Sequence, residues 1–302
     1  MKFAGLYFIP THNPTEATTL LSTLTTSLET HFHNPTPSTP WTLTYRLLRS
    51  TPAPSSSQTL PQGYHHILHI SSLSQPLTFC YIHGLASPTQ IKSENSTQDS
   101  SQKIQQPAET GKEGVKQMII TIPTSQSDPH IHTLITHLSP LWSHRQTLFI
   151  PPSPSYSSGE YTVRLGQLHL SRSPYINPGT ATSATIPGVV VCIEAEADGT
   201  PKAEDSDSEN DQNDIKEESG DGSSVTLGRE EEEWYKEMEC GVRDIWSKIW
   251  GNGEGMGLGG KGVEVREVMM DWKTQIDWGN RRDAQEDETL VKMWCEVLRL
   301  RA

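Results

Sequence analysis

The sequence is poor in apolar residues. Counted with Gly in place of Tyr, they make up about 38% of its 302 residues, against roughly 45–50% in a typical globular chain. A sizeable part of the chain is therefore expected to lie outside any core. No run approaches the roughly 20 apolar residues that span a bilayer. Cysteine is scarce too: Cys80, Cys192, Cys240 and Cys295 lie far apart, with no CxxC pair. That excludes a disulfide framework and a zinc-ribbon spacing, and it points to a reducing compartment. GxSxG, HExxH and EF-hand spacings are absent as well.

Basic charge is in deficit, with 24 Lys and Arg against 37 Asp and Glu, a net charge of −13. The deficit is local. From Glu194 to Glu233 stand 16 acids against Lys202, Lys216 and Arg229, which leaves 21 acids and 21 bases elsewhere. A neutral body with no basic stripe is a poor surface for DNA, RNA or an anionic membrane.

What is present is a succession of short β-type runs with a few helices. The opening Met1–Pro10 is apolar but has no small-residue cleavage site, and Phe3–Ile9 reads as a first strand rather than a signal peptide. Asn13-Pro14-Thr15-Glu16 supplies an N-cap, Pro at the first helical position and an acid three residues after the cap. Ala17, Leu20, Leu21, Leu24, Leu28 and Phe32 then recur at helical spacing, predicting a helix to about His31. Strands are expected at Trp41–Arg49, Tyr64–Ile70, Leu77–His83, Gln117–Ile122, Thr147–Ile150, Tyr161–Ser171 and Ile186–Glu194. A second helix opens at Ser127-Asp128, with Ile131, Leu134, Ile135 and Leu138 on one face. Glu230–Glu233 favour the start of a third, whose stripe is Trp234, Met238, Val242, Ile245, Trp246, Ile249 and Trp250. Val263–Lys273 is ambiguous between strand and helix. Asp283-Ala284-Gln285-Glu286 resembles a capping box leading a last helix, with Leu290, Val291, Trp294, Val297 and Leu298 on one side.

Successive strands with few crossover helices predict an α+β fold, an antiparallel β-barrel-like sheet flanked by helices. The expected organisation is a β-rich domain over 1–196 with a disordered loop at 87–116. An acidic disordered insertion follows at 197–229. Residues 230–302 form the helical C-terminal part of the same domain, with a Gly-rich linker at 251–262. The two insertions hold too little apolar surface to offset their ordering entropy.

Three constellations invite a chemical reading, and each has a plainer one. Gly255-Met256-Gly257-Leu258-Gly259-Gly260 matches GxGxxG. It follows a predicted helix rather than a strand, and Gly262 stands where a phosphate loop needs Ser or Thr after Lys261, so it reads as a linker. His65, His66 and His69 cluster, but in a strand His65 and His66 face opposite sides, and His65 and His69 lie about 13 Å apart. His130 and His132 do not share a helix face. No metal and no cofactor is expected. Glu194 and Glu196 share a strand face, as in tunnel-shaped triphosphatases that hold a divalent ion between such carboxylates and nearby cations. The predicted strands carry only Arg46, Arg49, Arg164 and Glu194, with Arg145 just before one of them, too few charges for such a tunnel. No catalytic residue is assigned.

The chain resembles the family of Mediator complex subunit 20, in a fungal version. The resemblance rests on Gly5-Leu6-Tyr7-Phe8-Ile9-Pro10 and the leucine-rich helix after it, and on Leu77-Thr78-Phe79-Cys80-Tyr81. It continues through Tyr161-Thr162-Val163-Arg164-Leu165-Gly166-Gln167-Leu168, Gly188-Val189-Val190-Val191-Cys192-Ile193-Glu194, the Trp-bearing helix, and Gly279-Asn280-Arg281-Arg282-Asp283-Ala284 before a terminal helix. The resemblance implies a fold similar to Mediator subunit 18 and a nuclear, non-catalytic coactivator subunit of the head module. It implies pairing with subunit 18, tethering by a segment of subunit 8, and indirect action on the RNA polymerase II machinery. A terminal-helix stripe that needs covering makes Val291, Trp294 and Leu298 the expected protein-interface residues. The alternative function is a tunnel-type triphosphatase using Glu194 and Glu196.

Overall fold

Residues 3–10 carry no charge, a run suited to a strand with a neighbour on each side, and the first strand is flanked in that way. In the computed structural model the described residues are 1–32, 35–51, 62–73, 76–85, 116–139, 141–175, 185–196, 229–251, 264–272 and 282–299. They form an α+β fold with a large antiparallel sheet and four helices. The chain divides into two units. The first holds Met1–Trp41, Pro152–Leu168 and Ile186–Val297, and the second holds Thr42–Pro151, His169–Thr185 and Leu298–Ala302.

In the first unit, β1 (Lys2–Pro10) pairs antiparallel on one side with β10 (Thr185–Glu196) and on the other with β11 (Arg266–Met269). Leu6 lies opposite Cys192 in the first ladder and opposite Val268 in the second. Phe3, Leu6, Tyr7 and Ile9 of β1 and Val189–Ile193 of β10 are fully buried. A strand with neighbours on both sides and both faces covered reads as a continuous apolar run, which explains the lack of alternation here. The ambiguous stretch near 263–273 is thus a short strand. β9 (Tyr161–Ser171) follows β10 in the sheet. The sequence pattern does not reveal two short strands, β2 (Thr36–Pro37) and β8 (Ser155–Ser158), which pair with each other.

The helix α1 (Pro14–His31) starts as its sequence predicts. The Asn13 side chain accepts from the Glu16 amide at 2.7 Å, and the Glu16 carboxylate accepts from the His12 amide at 2.8 Å. Ala17, Leu20, Leu24 and Leu28 are its buried stripe. It packs along α3 (Arg229–Trp250), where the Ser27 hydroxyl donates to the Ile249 carbonyl at 2.8 Å. That bond satisfies one of the orphan carbonyls at the end of α3, and Gly251 (φ 64°) follows at the left-handed position that ends helices,. Trp246 of α3 stacks on Tyr7 of β1 at 4.1 Å and 9°. The buried residues of α3 include Tyr235 beside the expected Met238, Val242, Ile245 and Ile249.

Gly5 lets α3 approach β1. A Cβ there would stand 2.7 Å from Val242 Cγ1 and 2.8 Å from Met269 Sδ. Gly5→Leu is therefore expected to lower stability by about 1–3 kcal/mol through overpacking. An unchanged melting temperature would show that α3 can move away freely.

In the second unit the order is the end of β9, then β7 (Trp142–Ser153, of which 142–151 belong here), β3 (Trp41–Ser50, from Thr42), β4 (Tyr64–Ile70), β5 (Leu77–Leu85) and β6 (Lys116–Pro123). The helix α2 (Ser127–His132) ends in a wide turn, where the Leu138 amide donates to the Thr133 carbonyl at 3.1 Å. Sequence periodicity places Leu138 on the inner face with Ile131 and Leu134. The wide turn inserts an extra residue, and Leu138 emerges 38% exposed. The regions expected to be a loop at 87–116, an acidic insertion at 197–229 and a linker at 251–262 lie almost wholly outside the described residues. Among the described residues no helix is long and apolar enough to cross a membrane.

Candidate protein-interaction edge and the histidine faces

Strand β6 stands at the end of the sheet order, and among the described residues it pairs with β5 alone. Its register sets Ile122 opposite Thr78, Ile120 opposite Cys80 and Met118 opposite Ile82. These three side chains share one face, since strand side chains alternate. Ile122 packs against a small core of Leu48, Ile67, Cys80, Ile131 and Leu134, of which α2 contributes Ile131 and the wide turn after it Leu134. The cover stops there: Ile120 is 41% and Met118 52% exposed. An edge strand offers a row of unpaired N–H and C=O groups, the template onto which another strand adds. Exposed apolar side chains beside that row add surface that such an addition would cover.

Strands β4 and β5 behind this edge carry histidines on both faces. On one face the Tyr45 hydroxyl meets His66 Nδ1 at 2.9 Å, and His66 Nε2 meets His83 Nε2 at 2.9 Å. Tyr64, Tyr81 and His83 ring His66, and the Arg299 guanidinium lies 5.3 Å over the Tyr64 ring. Burial, with His83 and Arg299 adding positive charge nearby, pushes the His66 pKa down to about 3. On the other face stands His65, 3% exposed, whose pKa burial lowers to about 4, with His130 as a second cause. His65, Cys80 and His130 have ligand atoms within 4.8 Å of one another. Burial thus keeps the His65 and His66 rings uncharged at neutral pH. The helix α2 is moored by Arg46, which donates to the Asp128 carboxylate at 2.8 Å and to the Pro174 carbonyl at 2.8 Å.

The family described as the TATA-binding related factor (TRF) of subunit 20 of Mediator complex matches residues 1–226. The chain belongs to the Mediator subunit 20 family. It is thus a Mediator subunit, in a family of transcription regulation that is generally non-catalytic and that works in a nuclear complex. No curated protein matches the chain. The solved structures similar in part include the following two. A chain of the Schizosaccharomyces pombe Mediator head module shares 9% identity, with 66% of this chain and 84% of that one covered, at a TM-score of 0.30. The PH1819 protein of Pyrococcus horikoshii OT3 shares 10% identity, with 81% and 90% covered, at a TM-score of 0.31.

The Mediator subunit 20 fold places the residues singled out in the sequence as follows. In α4 (Arg282–Arg299) Val291 is fully buried, and Trp294 and Leu298 are each 2% exposed. Trp294 lies 5.9 Å from Trp41, whose Nε1 donates to the Leu165 carbonyl at 3.0 Å. The Gln146 side-chain amide donates to the Leu298 carbonyl at 3.0 Å. Glu194 faces Arg164 at 2.5 Å, while Glu196 is exposed at the end of β10. Burial opposes the charge of Arg164, but Glu194 and Cys192 together more than offset it and raise the guanidinium pKa. The glycine stretch at 255–260 lies outside the described residues. His65 and His66 do face opposite sides of β4. What sequence reasoning misses is that His65 meets Cys80 and His130, and that Met118 and Ile120 lie on an edge. The one available signal was the polar, apolar-poor stretch before β6, which marks where a sheet could stop.

Proposed function

We propose that this Mediator subunit 20 chain is a nuclear, non-catalytic assembly subunit of the head module that pairs with Mediator subunit 18, with a segment of subunit 8 tethering the pair. The observation that carries the reading is the family match over residues 1–226. The structure supplies a surface suited to it in β6, with Met118 and Ile120 exposed. We assign that edge to subunit 18, which adds a strand to β6. Val291, Trp294 and Leu298, on the buried side of α4, serve the interface indirectly by setting the position of that helix. Residues 1–196 and 230–302 act as one domain in this reading, and 197–229 as a spacer. The triphosphatase alternative would need Glu194 for a metal, whereas its carboxylate already faces Arg164.

Expressed alone, the chain should self-associate through β6, and co-expressed subunit 18 should render it monodisperse. Met118→Lys combined with Ile120→Glu should leave the unfolding free energy within about 0.5 kcal/mol of wild type, as surface changes do. The same pair should weaken subunit 18 capture at least tenfold. Size-exclusion chromatography reads the self-association, a thermal melt the stability and a pull-down the capture. Undiminished capture by the double variant would place the subunit 18 contact elsewhere.

A further inference from the structure

His65 is hard to explain as an ordinary core residue. It is 3% exposed, and neither ring nitrogen has a hydrogen-bond partner. Buried polar groups are nearly always paired, and each orphan needs a reason such as an ion. The neighbourhood supplies one. Cys80, fully buried, lies one step along β5 on the same face, because Cys80 pairs with Ile67 and His65 with Ile82. From α2, His130 approaches the His65 ring edge-on at 5.5 Å, and its Nε2 is also without a partner. The Trp142 ring also meets the His65 ring edge-on at 5.5 Å.

We propose that His65, Cys80 and His130 bind one zinc ion, which ties β4, β5 and α2 together beside the β6 edge. Two imidazoles and a thiolate are the donor set that a borderline-soft d10 cation takes, with bonds of about 2.0–2.3 Å. Such bonds put donors roughly 3.3–3.8 Å apart in a tetrahedral site. The ligand atoms here lie within 4.8 Å, so closing the site needs a shift of about 1 Å. His130 is only partly buried, and rotation of its side chain supplies that shift and opens the entry path. A water or other small ligand completes the fourth position from that side. Burial keeps both imidazoles neutral, the ligating form, and raises the Cys80 thiol to about 12. Zinc therefore displaces the thiol proton: the S–H bond breaks, the S–Zn bond forms, and one proton per ion passes to the buffer. The inference concerns a site on the opposite face of β4 from His66 and stands independently of the partner reading above.

The test uses the full chain, purified in reductant, stripped with a chelator and reloaded with zinc. Wild type should retain one zinc per chain through gel filtration, release one proton per zinc at pH 7, and melt higher with zinc than without. Loaded with cobalt instead, it should show a thiolate-to-metal absorption band. Cys80→Ala and His130→Ala should each lower zinc affinity by about a hundredfold or more. The first should also abolish the cobalt band. Cys240→Ala, at an exposed position, should change neither. His130→Ala removes a partly exposed side chain and keeps the test readable should Cys80→Ala fail to fold. Failure of wild type to retain zinc, or equal retention by a folded His130→Ala chain, would overturn the site.

Discussion

Trp294→Ala should cost the isolated chain about 3–5 kcal/mol, the usual loss when a large buried aromatic is deleted and its cavity persists. Trp294 is 2% exposed and packs against Trp41, itself held by a hydrogen bond to the Leu165 carbonyl. Neighbours pinned in this way cannot collapse into the space, so the cavity term is retained in full. A domain stable by about 5–15 kcal/mol would lose a large share of its margin. Urea unfolding of the chain without partners should show a sharply lower midpoint at an unchanged slope. If instead the midpoint stays put and only subunit 18 capture falls, Trp294 contributes through direct contact and not through the packing of α4.

Acidification should be nearly as damaging. Both His65 and His66 have folded-state pKa values well below the unfolded value of about 6.5, at about 4 and about 3. Burial is the main cause for each. The unfolded chain then binds more protons than the folded chain between pH 3 and 6.5. Stability is complete above about pH 6.5 and is lost as pH falls through that window. From pH 7 to pH 5 each group should cost roughly 2 kcal/mol at about 1.4 kcal/mol per unit. A chelator present throughout makes the measurement one of protonation on the metal-free chain. His66→Phe, which keeps a ring among Tyr45, Tyr64 and Tyr81, should remove the His66 share of the slope and leave that of His65 and of His83, His130, His144 and His169, which burial also lowers. An equally steep loss in that variant would show that other groups drive the acid response.

The two histidines also show where sequence reading stops. That His65 and His66 face opposite sides follows from the strand period alone. Which chemistry each face meets does not, because Cys80 comes from a hairpin partner and His130 from a helix 65 residues away in the chain. Spacing rules for metal ligands look along one element, and this triad spans three. The same limit applies to β6. Its Met118-Ile119-Ile120-Thr121-Ile122 run is apolar enough for a central strand, and its place at the end of the order follows from pairings no local pattern encodes.

Local signals determined what is local. Asn13, Pro14 and Glu16 set the start of α1 through side-chain and dihedral chemistry confined to one turn, and the structure begins the helix at Pro14. The apolar runs of β1, β4 and β9 fall within a residue of their expected bounds. The order of elements was enough for an α+β fold, and the motifs in that order for the Mediator subunit 20 family. Tertiary structure alone decided the rest. It turned Leu138 outward through a wide turn, faced Glu194 with Arg164, and buried Val291, Trp294 and Leu298 within the chain itself. The physical reason is common to all of them. A side chain's hydrophobicity says that it will be covered, but what covers it depends on residues distant in sequence, brought close only when the sheet is paired and the helices are packed.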